Sequence, residues 1–569
     1  MTATVSAARI RRFGIDADRA ALGALALAVA VLLAVFVVVP LGAILRLSFV
    51  TPEGIGLANY ARAFANPKFT RIVGASFAVS ITTTLITLVL AYGFAFALRR
   101  TAMPLRRTCG AIALLPLYAP SLVQALGILF LFGRNGIVNR AFDLGIDIYG
   151  FWGIVIADVL YSFPHAFLIL SAALAVGDAR LYESARMLGA APARMFRTIT
   201  LPSTRYGIAS AAFVVFTIVI TDFGNPMVIG GDYTVLATEI YNQVSGQGRM
   251  ELGAVIGVVL LVPAAVAVIV EKMVTRRQHA AITERAVPLS IVSSRTRDRV
   301  ALAYALAVCA AIAAVVIVVV VASFVTLWPY NMRMSLRHYR FEVQNGIAPL
   351  WTSVVVSLLA AVIGVAVTVA AASATRWLRP VLAQVLYFLS VLPAAVPGMV
   401  LGLGYIFAFN APGNPLEWLY GGLLILALCN VYHYHAQGYL VAATASGQVS
   451  RVFDETSTCL GATAMRTLRA VILPLIAPAI ASIAVFFFVR SMVTLSAVIF
   501  IVTPSTQLAA VSVLLLDDSG NQNQAAAFSV CIMAIVALVL GLFHALFGLV
   551  ARRRARRQPD GFHPPPSAR

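Results

Sequence analysis

The sequence predicts an all-α membrane protein with twelve transmembrane helices, arranged as two parallel repeats of six. Three observations lead to this prediction: the apolar composition, the number and length of the apolar runs, and a motif that occurs once in each half. Of the 569 residues, 61% are hydrophobic and only 11% are charged. A soluble domain is about 45–50% apolar, so this composition indicates a chain that crosses a membrane many times.

Twelve apolar runs are long enough to cross a bilayer, which takes roughly 20 helical residues. Because lipid offers no hydrogen-bonding partners to the backbone, each run is expected to be helical. The first six lie near residues 24–46, 71–97, 108–133, 151–175, 206–229 and 252–270. The second six lie near residues 301–327, 351–375, 382–409, 420–444, 476–502 and 528–550. These runs divide the chain into a first half at 1–270, a cytoplasmic linker at 271–300, a second half at 301–551 and a basic cytoplasmic tail at 552–569.

The net charge of +20 is explained by its placement along the chain. Arginines cluster after the second, fourth, sixth and twelfth runs, whereas the loops at 410–420 and 503–527 contain no Lys or Arg. This is the positive-inside pattern, and it predicts a multi-pass membrane protein with both termini in the cytoplasm. The excess of basic residues therefore reflects the orientation of the chain in the membrane lipid, and we expect no nucleic-acid partner.

The two halves align with each other along much of their length. Residues 114–133, "LLPLYAPSLVQALGILFLFG", match residues 391–410, "VLPAAVPGMVLGLGYIFAFN". Ser76 and Ser353 also fall at the same offset. Equivalent segments follow spans of the same parity, so they lie on the same side of the membrane. The repeat is therefore parallel, with its symmetry axis along the membrane normal, and a pathway is expected between the halves.

A motif on the cytoplasmic side occurs twice with equal spacing: an acid, a Gly six residues later, and a Leu-Pro pair twelve residues after that Gly. Asp178 and Ser450 are good N-caps for a short helix, and the Gly stands where a helix ends in positive φ. A second helical stretch follows, and we expect the proline of each Leu-Pro pair, Pro202 and Pro474, to interrupt it. Two ordered elements held out of the membrane predict docking of a partner.

The pattern E-x-A-x3-G followed by I-x-L-P resembles the EAA loop of permease subunits of bacterial ABC importers. In that family the loop forms a coupling helix that sits in a cleft of the ATP-binding subunit. The resemblance implies that coupling to the ATPase involves two sets of residues: Glu183, Ala185, Gly189, Leu201 and Pro202 in the first copy, and Glu455, Ser457, Gly461, Leu473 and Pro474 in the second. The second copy departs mildly from the pattern, with Ser457 in place of Ala and Val471 in place of Ile.

The chain cannot supply the ATPase itself. A phosphate-binding P-loop needs a Lys after Gly, and neither lysine of this chain, Lys68 or Lys272, follows a Gly. We therefore expect a transport subunit and not an enzyme, with no cofactor. The resemblance implies a place in the bacterial inner membrane, two ATP-binding subunits on the cytoplasmic face and a periplasmic solute-binding protein. Because both halves are present in one chain, no second permease chain is required.

Ionisable groups inside the membrane mark the predicted pathway, since each costs about 2.5–3.5 kcal/mol to insert. Asp222 and Arg490 lie in equivalent spans, and we assign Asn225 and Thr494 to the same pathway. The acid and the base either pair with each other or contact the substrate. No metal site is expected, because His433 and His435 are two residues apart and point to nearly opposite faces of a helix.

The loops of the outer face and the charge in the pathway bear on the substrate. The segments 230–255 and 515–527 are expected to form the outer mouth, and with "TDFGNP" they resemble 2-aminoethylphosphonate permeases most. An Arg in the pathway suits a phosphonate. Ferric iron permeases are the alternative. A rival of another class is an ion-coupled secondary transporter, which also has two parallel halves of six spans but needs buried carboxylates for its coupling ion.

Overall fold

The computed structural model describes residues 21–281, 293–341 and 346–557. The first half consists of α1 (Ala21–Phe49), β1 (Val50–Thr51), β2 (Gly54–Ile55), α2 (Ala58–Ala65), α3 (Pro67–Arg100), α4 (Arg106–Ala113), α5 (Leu122–Phe132), α6 (Ile137–Phe142), α7 (Phe151–Ala175), α8 (Ala179–Met187), α9 (Pro192–Ile220), α10 (Gly224–Ile229), α11 (Leu236–Tyr241) and α12 (Met250–Ala281).

The second half follows the same general order with fewer short helices. It consists of α13 (Arg295–Phe324), β3 (Val325–Leu327), β4 (Asn331–Met334), α14 (Ala348–Trp377), α15 (Pro380–Val391), α16 (Gly398–Phe409), α17 (Leu423–Gln448), α18 (Val452–Cys459), α19 (Ala464–Leu475), α20 (Ala477–Val493), α21 (Ala509–Asp518) and α22 (Gln522–Arg557). In each half a short antiparallel hairpin follows the first helix, and these hairpins are the only sheets in the described ranges. The protein is an all-α membrane protein.

Long apolar segments account for most of the described chain. Nine helices within it are long and apolar enough to cross a membrane, and two bent helix pairs bring the number to as many as eleven. The predicted tenth span corresponds to α17, a 26-residue helix that is less apolar but largely buried. The predicted order of twelve segments is thus present, although some of these segments are not straight helices.

The third span of each half is broken by prolines, which the sequence prediction did not anticipate. In the first half, α4 ends before a 3₁₀ turn at Leu115–Tyr118 and α5 begins afterwards. In the second half, a 3₁₀ turn at Leu392–Ala395 precedes a bend of 108° into α16. Proline removes a helical N–H and its ring clashes with the preceding turn, so the equivalent Leu-Pro pairs bend the chain at the same place.

Our expectation that Pro202 interrupts the helix is wrong, because α9 runs through it without a break. A π-helical turn at Phe196–Thr200 directly precedes Leu201, and this wider turn accommodates the proline ring. The second copy has the same π turn at Leu468–Ile472, but its helix ends at Leu475, one residue after Pro474, at a bend of 74°. Pro478 explains the difference, since it cannot donate a hydrogen bond to the carbonyl of Pro474.

Equivalent hydrogen bonds support the same packing in both halves. The hydroxyl of Ser76 in α3 accepts a hydrogen bond from the backbone N of Leu236 at the start of α11, at 2.8 Å. The hydroxyl of Ser353 in α14 accepts the same bond from Ala509 at the start of α21, also at 2.8 Å. Around these bonds, α3, α7 and α9 pack together in the first half, as α14, α17 and α20 do in the second.

The two halves exchange their first helices. Helix α13 of the second half packs on α5, and α1 of the first half packs on α16. A glycine permits each approach: a Cβ at Gly127 would lie 2.7 Å from the carbonyl O of Val315, and a Cβ at Gly404 would lie 2.7 Å from the carbonyl O of Pro40. Both distances are too short for any larger residue. The halves therefore share one core instead of packing as separate domains.

The predicted linker and tail are covered only in part. Helix α12 extends to Ala281 and α13 begins at Arg295, so both ends of the expected linker 271–300 are helical, while residues 282–292 lie outside the described residues. Of the expected tail, the backbone to Arg557 continues α22, and 558–569 lie outside the described residues. The boundaries of the four regions remain a prediction.

Candidate functional site

Both copies of the repeated motif form a short helix with the same ending. Gly189 and Gly461 have φ of +72° and +77°, in the left-handed region that favours glycine. After each Gly, the next backbone N bonds back to the carbonyl five residues earlier, at 2.9 Å in both copies. This is the Schellman ending that the sequence predicts. At the other end, Asp178 is the N-cap as predicted, and its carboxylate accepts from the N of Arg180, at 3.1 Å. The N-cap prediction for Ser450 is wrong, because Arg451 occupies that position; the Ser450 hydroxyl accepts from the N of Val452 instead, at 3.3 Å.

The tips of these helices carry exposed apolar side chains. Met187 and Leu188 are 91% and 87% exposed, and Leu460 is 82% exposed. The motif acids Glu183 and Glu455 are exposed beside them. Exposed apolar groups surrounded by charges mark interaction surfaces. Of the remaining predicted residues, three are half-buried and three are exposed: Ala185, Ser457 and Leu473 in the first group, Leu201, Pro202 and Pro474 in the second.

The first coupling helix, α8, is fastened to the membrane helices through an aromatic ring. The guanidinium of Arg100, at the end of α3, lies 5.1 Å from the ring centroid of Tyr182. The Tyr182 hydroxyl is hydrogen-bonded to Thr200 of α9, at 2.9 Å. A cation over an aromatic face and a buried hydroxyl pair thus connect α8 to two membrane helices.

The second coupling helix, α18, is fastened by an ion pair at the equivalent place. Arg376, near the end of α14, donates from Nη2 to Oδ2 of Asp454 at 2.7 Å, and from Nη2 to the carbonyl of Val449 at 3.0 Å. The two charged side chains are only 7% and 19% exposed. A charge-assisted contact with so little solvent holds the helix in one position.

A cavity of about 150 Å³ lies between the two halves. The first half contributes Tyr161 and Asp222 to its wall, and the second half contributes His433, Tyr434 and Arg490, together with the bend at 393–398. The broken third span therefore forms part of the cavity wall. Backbone freed by a helix break is tolerated at membrane depth where it lines a cavity.

Arg490 projects into this cavity from α20. Its guanidinium lies 4.8 Å from the ring centroid of Tyr434 and also interacts with the Tyr161 hydroxyl. The Tyr434 hydroxyl is hydrogen-bonded to Thr494, at 2.8 Å. Thr494 does not line the cavity and is buried behind Tyr434. Its hydroxyl contact holds the Tyr434 side chain at the wall.

Asp222 faces Arg490 across the same cavity from the first half. Its carboxylate accepts a hydrogen bond from the backbone N of Asn225, at 3.0 Å. The Asn225 side chain is fully buried; it donates to Asp158 at 2.8 Å and accepts from the N of Ala125 at 3.2 Å. Asn225 thus ties three helices together behind the cavity, and like Thr494 it does not line the wall.

Asp158, which is not among the predicted site residues, is fully buried in α7 beside Asp222. A single acid in the apolar run 151–175 is the same signal that identified Asp222, so the cost of a charge inside the membrane also points to Asp158. Tyr161 and Tyr434 are likewise absent from the predicted site. Aromatic residues are common in apolar spans, so nothing in the sequence separates these two from packing residues.

A larger cavity of about 700 Å³ adjoins the first one and shares Thr217, Gln437 and Arg490 with it. Its wall includes Glu271 and Lys272 near the end of α12. The end of α12 lies beside α9, the helix that follows α8, because the Ser210 hydroxyl of α9 donates to the Glu271 carboxylate at 3.1 Å. The two cavities therefore adjoin through shared wall residues, and the larger one extends to the end of α12.

The histidines of "YHYH" separate as their spacing predicts. His433 lines the small cavity, whereas His435 is fully buried in α17. Within the described ranges no group of three or more His, Cys, Asp and Glu side chains is placed to hold a metal ion.

Residues 93–280 and 363–556 each match the family described as binding-protein-dependent transport system inner membrane component. The chain belongs to this family. It contains the family's domain twice and is therefore a fused, two-half permease subunit of an ABC importer. Its role is transport across the inner membrane, in which it is a multi-pass protein, and not catalysis.

Several known proteins are similar to this permease. The ferric transport system permease protein FbpB of Actinobacillus pleuropneumoniae is 28% identical over 543 residues, covering 92% of this chain and 78% of its own. The putative ferric transport system permease protein FbpB 1 of Haemophilus influenzae is 28% identical over 506 residues, covering 85% and 78%. A solved bacterial alginate ABC transporter, in complex with an alginate-bound periplasmic protein, matches with a TM-score of 0.35 and 19% identity over 43% of this chain and 89% of its own.

Proposed function

We propose that this permease imports ferric iron from the periplasm through the cavities between its two halves. The support for iron is similarity to ferric transport permeases over most of the chain. The comparisons give no specific support to 2-aminoethylphosphonate, so the ferric alternative replaces it as the main hypothesis. Membership of the ABC importer family argues against the ion-coupled secondary transporter.

The observation that carries the transport path is the position of Arg490 and Asp222. They come from different halves and line one cavity of about 150 Å³, and Arg490 also lines the larger cavity. Because the wall is built from both halves, rocking one half against the other changes its width and its access. Alternating access at a repeat interface follows the same logic in other transporters.

The driving force comes from two ATP-binding subunits, one on each coupling helix. Their binding surface comprises the exposed tips of α8 and α18 with Glu183 and Glu455. These helices face the cytoplasm in the orientation that the positive-inside pattern predicts. A periplasmic binding protein delivers the cargo on the opposite face, where the segments at 230–255 and 515–527 form the mouth.

The test is reconstitution of the permease with its ATP-binding subunits and binding protein in liposomes. We expect ATP-dependent uptake of radioactive iron supplied as a ferric complex, and no uptake of 2-aminoethylphosphonate. Glu183→Arg with Glu455→Arg should abolish ATPase binding, as measured by copurification, since both acids lie on the exposed surface. Uptake of 2-aminoethylphosphonate but not of iron would refute iron as the cargo. Unchanged copurification would refute the docking surface.

A further inference from the structure

Two opposite charges line the small cavity without neutralising each other. Ion pairs within 4.0 Å among the described side chains join Arg297 to Asp298 and Arg376 to Asp454, and none joins Asp222 to Arg490. Both groups nevertheless face the same volume of about 150 Å³. Charges in so small a space, between apolar helices, attract each other strongly. Some feature of the structure must hold them apart.

Each charge is held by contacts other than the opposite charge. Asp222 is fixed by the backbone N of Asn225 and adjoins Asp158, both in the first half. Arg490 is fixed over the ring of Tyr434, which Thr494 secures, and it also interacts with the Tyr161 hydroxyl of the first half. These contacts position the acid and the base before any cargo arrives. Preorganised groups of this kind give specificity at little cost when the guest binds.

The charge arrangement disfavours any guest that carries one sign only. A simple anion that pairs with Arg490 would also face the Asp222 carboxylate, with Asp158 behind it. A simple cation bound to Asp222 would face the guanidinium. Like charges brought together at an interface repel each other, so each single-sign ion is opposed by one wall.

We propose that the cavity recognises a cargo that carries a cationic centre and an oxyanion in one small unit. The Asp222 side takes the cation, and Arg490 takes the oxyanion with its fork of N–H donors. Two sources have this chemistry: a ferric ion bound to a small oxyanion such as phosphate, and a zwitterion such as an aminophosphonate. The inference rests on the proposed function only in placing this cavity on the import path.

The first experiment measures whether uptake by the reconstituted transporter rises or falls with either of two neutralising substitutions, Asp222→Asn and Arg490→Gln. For a cargo with both charges, each substitution lowers uptake by at least about tenfold, because each leaves one charge of the cargo unpaired. For a bare anion, Asp222→Asn would instead raise uptake. For a bare cation, Arg490→Gln would raise it. A rise with either variant overturns the inference.

Matched controls separate recognition from misfolding. Asp143→Asn and Arg379→Gln make the same chemical changes at exposed positions outside the cavities, and we expect uptake to stay within about twofold of the unchanged protein, as is usual for surface substitutions. Copurification of the ATP-binding subunits with the two cavity variants should also be unchanged. A cavity variant that loses its subunits is replaced by Asp222→Ser or Arg490→Lys in the same assay.

The second experiment measures the thermal stability of the permease in nanodiscs with three probes: ferric phosphate, 2-aminoethylphosphonate and inorganic phosphate. We expect a rise in Tm with a probe that carries both charges, none with phosphate, and loss of the rise in both cavity variants. A rise in Tm with ferric phosphate alone supports both the inference and iron as the cargo. A rise with 2-aminoethylphosphonate alone keeps the inference and refutes the proposed cargo. A rise with phosphate equal to the others overturns the inference.

Discussion

The two coupling helices have the same backbone design and different fastenings. Both end in a glycine of positive φ with the same back-bonded turn. In the first, Tyr182 lies under Arg100. In the second, the residue at the equivalent position is Asp454, which binds Arg376 directly. The helix and its exposed tip are therefore repeated, while the chemistry that fastens it to the membrane helices is not.

The arginines at the ends of α3 and α14 make different contacts in the two halves. Arg99 is the equivalent of Arg376, yet its Nε donates to Ser171 at the end of α7, at 2.6 Å, instead of to the coupling helix. Its neighbour Arg100 contacts α8. One half thus uses adjacent arginines for two contacts, and the other uses one arginine for both the helix and the loop before it. The position of the coupling helix is preserved, and the residue pair that sets it has changed.

The largest effect is expected from breaking the ion pair in the second half. Arg376→Ala leaves the Asp454 carboxylate without its partner in a site of low exposure, and losing one partner of such a pair costs about 3 kcal/mol. Helix α18 should then lose its fixed position. We expect uptake to fall by at least about tenfold while basal ATP hydrolysis continues.

The exchange variant, Arg376→Asp with Asp454→Arg, tests whether the pair itself matters. It retains both charges, so uptake should recover partly relative to either single substitution. The comparison between the halves fails if Arg100→Ala lowers uptake as strongly as Arg376→Ala, because the first fastening lacks an acid.

An intermediate effect is expected at the two glycines. Gly189→Ala and Gly461→Ala place a side chain in left-handed backbone, which costs about 1–2 kcal/mol at each position. No neighbouring atom lies within 4 Å of either added Cβ, so the cost is conformational and should be the same in both halves. Thermal denaturation of the two variants in detergent measures this, and clearly unequal losses would contradict a shared backbone design.

A smaller effect is expected from Tyr182→Phe. The ring under Arg100 is retained and only the hydrogen bond to Thr200 is lost, at a cost of about 1 kcal/mol. Hydrogen exchange of the α8 amides should increase, with uptake reduced less than by Arg376→Ala. Thr200→Val removes the same bond from the other side and serves as the matched variant; protection that survives both substitutions would mean that the hydroxyl pair does not fasten the helix.

The smallest effect is expected from Ser457→Ala, which restores the family's alanine in the second copy. Ser457 is half-buried and equivalent to Ala185, and a substitution of this kind changes stability by no more than about 0.5 kcal/mol. Copurification of the ATP-binding subunits should stay unchanged. A marked gain in binding would show that the second motif is a weakened copy.

Much of this architecture could be predicted because periodic apolar runs and repeated punctuation are local signals. The doubled motif, the order of segments and the glycine endings all follow from short stretches of sequence. The continuous helix through Pro202 could not be predicted, because we found no signal in the sequence for the π turn that directly precedes Leu201. The same holds for the cavity wall, where Asn225 and Thr494 lie behind the residues they support.

The close approach of Gly127 to Val315 has a consequence for biosynthesis. When a ribosome has released the first half, α5 still lacks the helix that covers it, because Arg295–Phe324 has not yet been made. The early half must therefore wait in the bilayer, with a glycine-bearing face open to lipid or to the insertion machinery, until translation delivers its missing neighbour. Folding of the two halves is coupled in time as well as in space.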